Sequence, residues 1–122
     1  MLFDTTVLIA HLRGEVAATE FIAETPRTAR RMSVMSRVEV EGGMRSAERS
    51  AVGRLFASLE LVPVSDQVAG LAAQFVRTYR RSHSGIHVVD YVIAATAKLL
   101  GEPLATLNVK HFPMFEGLKP PW

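Results

Sequence analysis

The sequence predicts a three-layer α/β/α fold around a mainly parallel central sheet, on three observations. Short β-rich runs alternate with stretches whose apolar residues recur at helical spacing, the pattern of strand–helix–strand crossovers. Polar residues that cap helices follow the first three of those runs, at Asp4, Ser36 and Ser65. Three carboxylates, Asp4, Glu39 and Asp90, stand at strand–helix junctions. In an open parallel sheet these junctions share the edge where ligands bind.

The elements follow in order. Met1 to Phe3 reads as a very short strand ending at Asp4. Thr5-Thr6 lead into a helix that stops at Gly14. Val16 to Glu24 is a second short helix, closed by Thr25-Pro26. Arg31 to Met35 is a strand, and Ser36-Arg37-Val38-Glu39 has the form of a capping box that opens the next helix. Gly42-Gly43 is expected to bend that helix or tighten it against a neighbour, and the helical pattern resumes from Met44 to Ser58. Leu59 to Val64 is β-rich. Ser65-Asp66 caps a helix with Val68, Leu71, Ala72, Phe75 and Val76 inward, which ends in Arg77, Arg80 and Arg81. After a Ser-His-Ser-Gly loop, Ile86, Val89, Ile93, Ala97 and Leu100 mark one buried helical face. A Gly-Glu-Pro turn then gives way to a last short strand ending in Thr106-Leu107-Asn108. The tail from Gly117 to Trp122 has little helical potential.

Composition narrows the function classes. A chain of 122 residues with 48% apolar content and 21% charged content suits one globular domain, residues 1–122, and argues against disorder. With no cysteine, disulfide frameworks and thiolate metal sites are excluded. The net charge is only +2, but the basic side is 11 Arg to 3 Lys, a weak pointer to a polyanionic partner. No apolar run approaches a membrane span, and the start lacks the basic region of a signal peptide. A cytoplasmic location is the expectation.

Each candidate residue has a plain structural reading beside the chemical one. Asp4 suits a helix N-cap, Glu39 a capping-box partner of Ser36, and Asp90 a first-turn carboxylate favoured by the helix dipole. Asn108 suits an Asx turn. Glu41 reads as a solvated charge, and His11, His83 and His87 as surface or loop residues. His111 lies next to the site edge. The Arg77, Arg80 and Arg81 cluster is either a border of a nucleic-acid path or a basic helix end complementing the dipole. The convergence of the acids favours chemistry. Three carboxylates at one edge repel one another unless a hard cation joins them. Oxygen donors without Cys or a His pair select Mg²⁺, with Mn²⁺ as the alternative, over zinc. Such a site suits phosphodiester hydrolysis.

Four segments carry a resemblance. They are D-T-T-V-L-I from Asp4, S-R-V-E-V-E-G-G from Ser36, D-Y-V-I-A-A-T-A from Asp90 and T-L-N-V-K-H-F from Thr106, with a step of 18 residues from Asp90 to Asn108. In this order they resemble a PIN-domain ribonuclease of the VapC toxin type, over essentially the whole chain. The resemblance implies a PIN-like fold and a metal-dependent endoribonuclease with Asp4, Glu39 and Asp90 as catalytic and metal-binding acids. Glu39 is preferred over Glu41 because it stands four residues before Gly43. Thr6, Thr106, Asn108 and His111 match supporting positions. Many relatives place a fourth acid where this chain has Asn108 or His111. Its three acids are enough for one Mg²⁺ and leave a tightly held second ion in doubt. The implied partners are RNA, a VapB-like antitoxin and a second copy of the chain. The alternative is a catalytically silent PIN-like module that binds RNA or a partner. A phosphoreceiver domain is disfavoured, because Asp66 serves as a helix cap.

Overall fold

A computed structural model describes residues 1–122 as four short strands, six α-helices and three single 3₁₀ turns. The first strand, β1, is only Leu2–Phe3, yet both side chains are fully buried. Successive strand residues point to opposite faces, and this pair does so. Phe3 packs with Val7, Leu8, Ile22, Met32 and Val40, whereas Leu2 packs with Ile93, Ala97, Leu104 and Phe112. Each face therefore needs a helical layer.

One layer consists of α1 (Thr5–Leu12), α2 (Val16–Glu24), α3 (Val34–Gly43) and α4 (Arg49–Ala57). The other is α6 (Val88–Leu100), covered in turn by α5 (Asp66–Tyr79), whose Val68 and Ala72 pack on Tyr91, Val92 and Ala95. Helix α6 is enclosed on most sides, and every residue from Tyr91 to Ala97 is buried. A helix apolar all round belongs in such a place. Gly101, with φ of +64°, ends α6 in the left-handed conformation that glycine adopts without a Cβ penalty.

Strands β2 (Arg31–Ser33), β3 (Glu60–Val62) and β4 (Leu104–Ala105) complete a sheet ordered β3-β2-β1-β4, and all three pairings are parallel. The chain moves one way from β1 to β3, then crosses back to place β4 on the far side of β1. The switch point therefore lies between the carboxyl ends of β1 and β4, and open α/β sheets bind their ligands in that crevice.

Several expected boundaries move. Strand β2 stops at Ser33, whose hydroxyl accepts from Met35 N at 3.1 Å and caps α3. Ser36 lies inside the helix, fully buried, so the Ser36–Glu39 capping box does not form. Gly42 and Gly43 end α3 instead of bending it. Met44 leaves the helix with ψ of 151°, and a turn at Ser46–Glu48 precedes α4. Two glycines without side-chain contacts do little to hold the backbone against that break. Helix α6 opens at Val88, two residues after Ile86. The last strand ends at Ala105, so Asn108 stands beyond it, at the start of the turn Val109–His111.

Candidate active site

Asp4 immediately follows β1 and serves as the N-cap of α1, its Oδ2 lying 3.4 Å from the Thr6 amide. The same oxygen accepts from Thr6 Oγ1 at 2.7 Å and from Thr106 Oγ1 at 2.8 Å. Thr106 directly follows β4, so the two hydrogen-bonded residues straddle the switch point. Asp4 is only 2% exposed. Burial pushes its carboxyl above the ordinary value of 3.8; the Thr6 and Thr106 hydroxyls pull it down, and the charge of Asp90 pushes it up again.

Asp90 occupies the third position of α6, where its Oδ2 accepts from His87 N at 3.2 Å. That bond satisfies a free amide at the helix start, so Asp90 has a capping role as well. His111 Nδ1 lies 3.0 Å from the same Oδ2 and 2.9 Å from Asn108 Nδ2. The Asn108 amide proton in turn goes to Thr106 Oγ1 at 3.0 Å. Asp4, Thr106 and Asn108 thus form one hydrogen-bonded chain, with Thr6 joined through its contacts to Asp4 and the Leu107 amide. His111 Nδ1 bonds to one neighbour at a time: protonated it donates to Asp90 Oδ2, unprotonated it accepts from Asn108 Nδ2.

Glu39 takes a different position. It lies midway along α3, and its Oε1 accepts from Thr5 Oγ1 at 2.7 Å. Thr5 Oγ1 is also 2.8 Å from the buried Ser36 Oγ. Ser36 and Glu39 are three residues apart on α3 and share a face, so both meet Thr5. Sequence reasoning missed Thr5 and Ser36 as the groups that aim Glu39. The first threonine of D-T-T was the available signal for one, and the three-residue spacing for the other. Glu39 also lines a cleft of about 300 Å³ with Ile9, Arg13, Met44 and Arg45. A second cleft, of about 380 Å³, carries Thr6, Leu107 and Asn108 and shares Ile9 and Arg13 with the first.

The structure brings Asp4 and Asp90 within electrostatic reach of each other, and Glu39 is tied to Thr5, the residue next to Asp4. No three acidic or histidine side chains converge closely enough to enclose an ion. The donor set nevertheless suits a hard cation. In each acid one oxygen is tied to protein donors, while Asp4 Oδ1, Asp90 Oδ1 and Glu39 Oε2 accept no hydrogen bond from the chain. All-oxygen donors of this kind match Mg²⁺, which retains waters and needs few protein ligands.

Of the remaining expected residues, Glu41 pairs with Arg37 at 3.1 Å on an exposed helix face. Arg77, Arg80 and Arg81 are exposed and make no ion pair, in contrast to Arg31, which bridges Glu60 and Glu102. Arg77 borders the apolar groove between α5 and α6, which includes Val76, Val88 and Val92.

A four-stranded parallel sheet between two helical layers, with Asp4 and Asp90 beside its switch point, defines an α/β protein whose candidate site lies at the carboxyl edge of the sheet. A model of the PIN domain family matches residues 1–113, and the chain belongs to that family. Within it the chain groups with the VapC type. It is 50% identical to the ribonuclease VapC10 of Mycobacterium tuberculosis, over all of this chain and 92% of that protein. It is 41% identical to ribonuclease VapC19 of the same organism, over 99% of this chain and 98% of the relative. The fold matches a chain of a toxin–antitoxin complex from Klebsiella pneumoniae with a TM-score of 0.83 at 24% identity, covering 99% of this chain and 97% of that one.

Proposed function

We propose that this protein is a metal-dependent endoribonuclease and the toxin of a VapBC-type pair, acting as one PIN-like domain. The observation that carries the reading is the buried Asp4 carboxylate, tied to Thr106 across the switch point and loaded by the charge of Asp90. Kinship with two proteins named ribonucleases supports RNA as the substrate.

Asp4, Asp90 and Glu39 would hold Mg²⁺, or Mn²⁺ in its place, through their free oxygens. The chemistry supplied by such a bound ion is charge neutralisation at a phosphodiester and activation of water. The chain's own part is positional. Thr6 and Thr106 fix the Asp4 carboxylate, Thr5 fixes Glu39, and the His87 amide with the protonated Nδ1 of His111 fixes Asp90. Arg77, Arg80 and Arg81, free of intramolecular ion pairs, are suited to the RNA backbone.

A VapB-like antitoxin is the expected protein partner, and the two clefts that meet at Ile9 and Arg13 offer its segment an apolar floor beside the acids. Val16, Val38 and Val88 are each more than 60% exposed, which supports homodimerisation or partner contact. No helix is long and apolar enough to cross a membrane. A cytoplasmic location follows from the proposed action on RNA.

The test is cleavage of RNA by the purified protein with Mg²⁺, with 5′ ends mapped by sequencing. Cleavage that stops with chelator and returns with Mg²⁺ is expected. An intact substrate under all metal conditions, with RNA still bound, would instead support the silent binding module.

A further inference from the structure

Two loops distant in sequence face each other beside Asp90. Ser82, His83 and Ser84 follow α5; Lys110, His111 and Pro113 follow β4. Together they line an open cavity of about 560 Å³. No carboxylate lines it. Lys110 is exposed and forms no ion pair. Ser82 Oγ lies 2.8 Å from His83 Nδ1, so Nε2 is the free nitrogen of that ring. The Tyr79 ring packs edge-on against His83 at 5.6 Å and steadies it. His111 turns its Nδ1 edge to Asp90 and forms the wall between this cavity and the acids.

The cavity therefore offers an ammonium, two hydroxyls and imidazole nitrogens, with Arg80 and Arg81 just ahead of it in the chain. Donors set on two opposed loops match a tetrahedral oxyanion, which accepts from several directions, better than a planar carboxylate. One imidazole separates it from Asp90.

We infer that this cavity is a phosphate subsite, binding an RNA phosphodiester adjacent to the one cleaved, with Lys110 as its charge and Ser84 and His83 as its hydrogen-bond donors. The choice of RNA rests on the nuclease reading; the anion site itself does not. The test is binding of an uncleavable 2′-O-methyl oligonucleotide in chelator, followed by anisotropy over a salt series. Lys110→Gln should weaken binding about fivefold to tenfold and reduce the salt slope by about one. Lys110 is exposed, so the fold should tolerate the change, and circular dichroism checks this. Inorganic phosphate and the oligonucleotide should also shift the ring-proton resonances of His83 and His111. Unchanged affinity and slope would overturn the subsite, as would equal shifts produced by a glutamate peptide. Metal-dependent cleavage by the wild type, measured separately, tests the nuclease reading.

Discussion

The Thr106 hydroxyl donates a 2.8 Å hydrogen bond to Asp4 Oδ2, joining residues 102 apart in the chain. It closes the switch point between β1 and β4 and gives a buried carboxylate one of its few donors. Replacing Thr106 by Val keeps the shape and removes the donor. A cost of about 1–3 kcal/mol is expected at neutral pH from the polar partner left unsatisfied. Loss of a group that orients a candidate ligand should also lower activity by about tenfold to a hundredfold. Thr106→Ser should restore most of both. Denaturant melts and RNA cleavage on the same preparations check this.

Asp4 makes a prediction about pH. Its carboxyl is raised above 3.8 by burial first, and by Asp90. A raised acid binds its proton more tightly folded than unfolded. Its contribution therefore favours the fold below the unfolded value and is lost as pH rises through that value towards the folded one. Above both, the ionised group opposes folding in the metal-free protein. Asp4→Asn should raise the metal-free melting temperature at neutral pH and flatten its dependence in the acid range. It should also reduce RNA cleavage by at least about a hundredfold. A variant that melts lower at neutral pH would show that Asp4 is chiefly a helix cap.

Glu39 and Asp90 are expected to matter little for stability and greatly for activity. Glu39 is exposed in mid-helix and caps nothing, so Glu39→Gln should leave the melt within about 0.5 kcal/mol of wild type. Asp90→Asn loses a first-turn charge worth about 0.3–1 kcal/mol and relieves repulsion on Asp4, so the net change should be small. Both should abolish cleavage. Wild-type cutting rates in either variant would remove that residue from the site.

Metal affinity should be low without RNA. Three acids stand where many relatives of the resembled type place four, so substrate phosphate is expected to complete the shell. Calorimetric titration with Mn²⁺ is expected to show at most one weak site in the free protein. Two tight sites would mean that the acids move together readily.

The local sequence determined most of the fold and offered the three candidate acids. Alternating β-rich and helical patterns specified four strands and their helices, because burial on two faces demands those periods. Ser65 as a cap and the span Val16–Glu24 were legible because their signals lie within a few residues. Where two serines competed, at Ser33 and Ser36, the boundary was not legible locally. Ser33 caps α3, since Ser36 is drawn inward to Thr5 of another helix.

Tertiary structure alone decided how the candidate site is held. Thr106 reaches Asp4 only because β4 crosses back to lie beside β1. His111 reaches Asp90 only because the turn after β4 passes over the start of α6. Sequence spacing carries no information on such pairs, which depend on the order of strands in the sheet. The same holds for Glu39. The sequence offers it both as a capping-box partner of Ser36 and as an acid of the site, but its orientation comes from Thr5 on a neighbouring helix. A hydrogen bond between elements is determined by the packing that brings them together, and that packing is a property of the whole core.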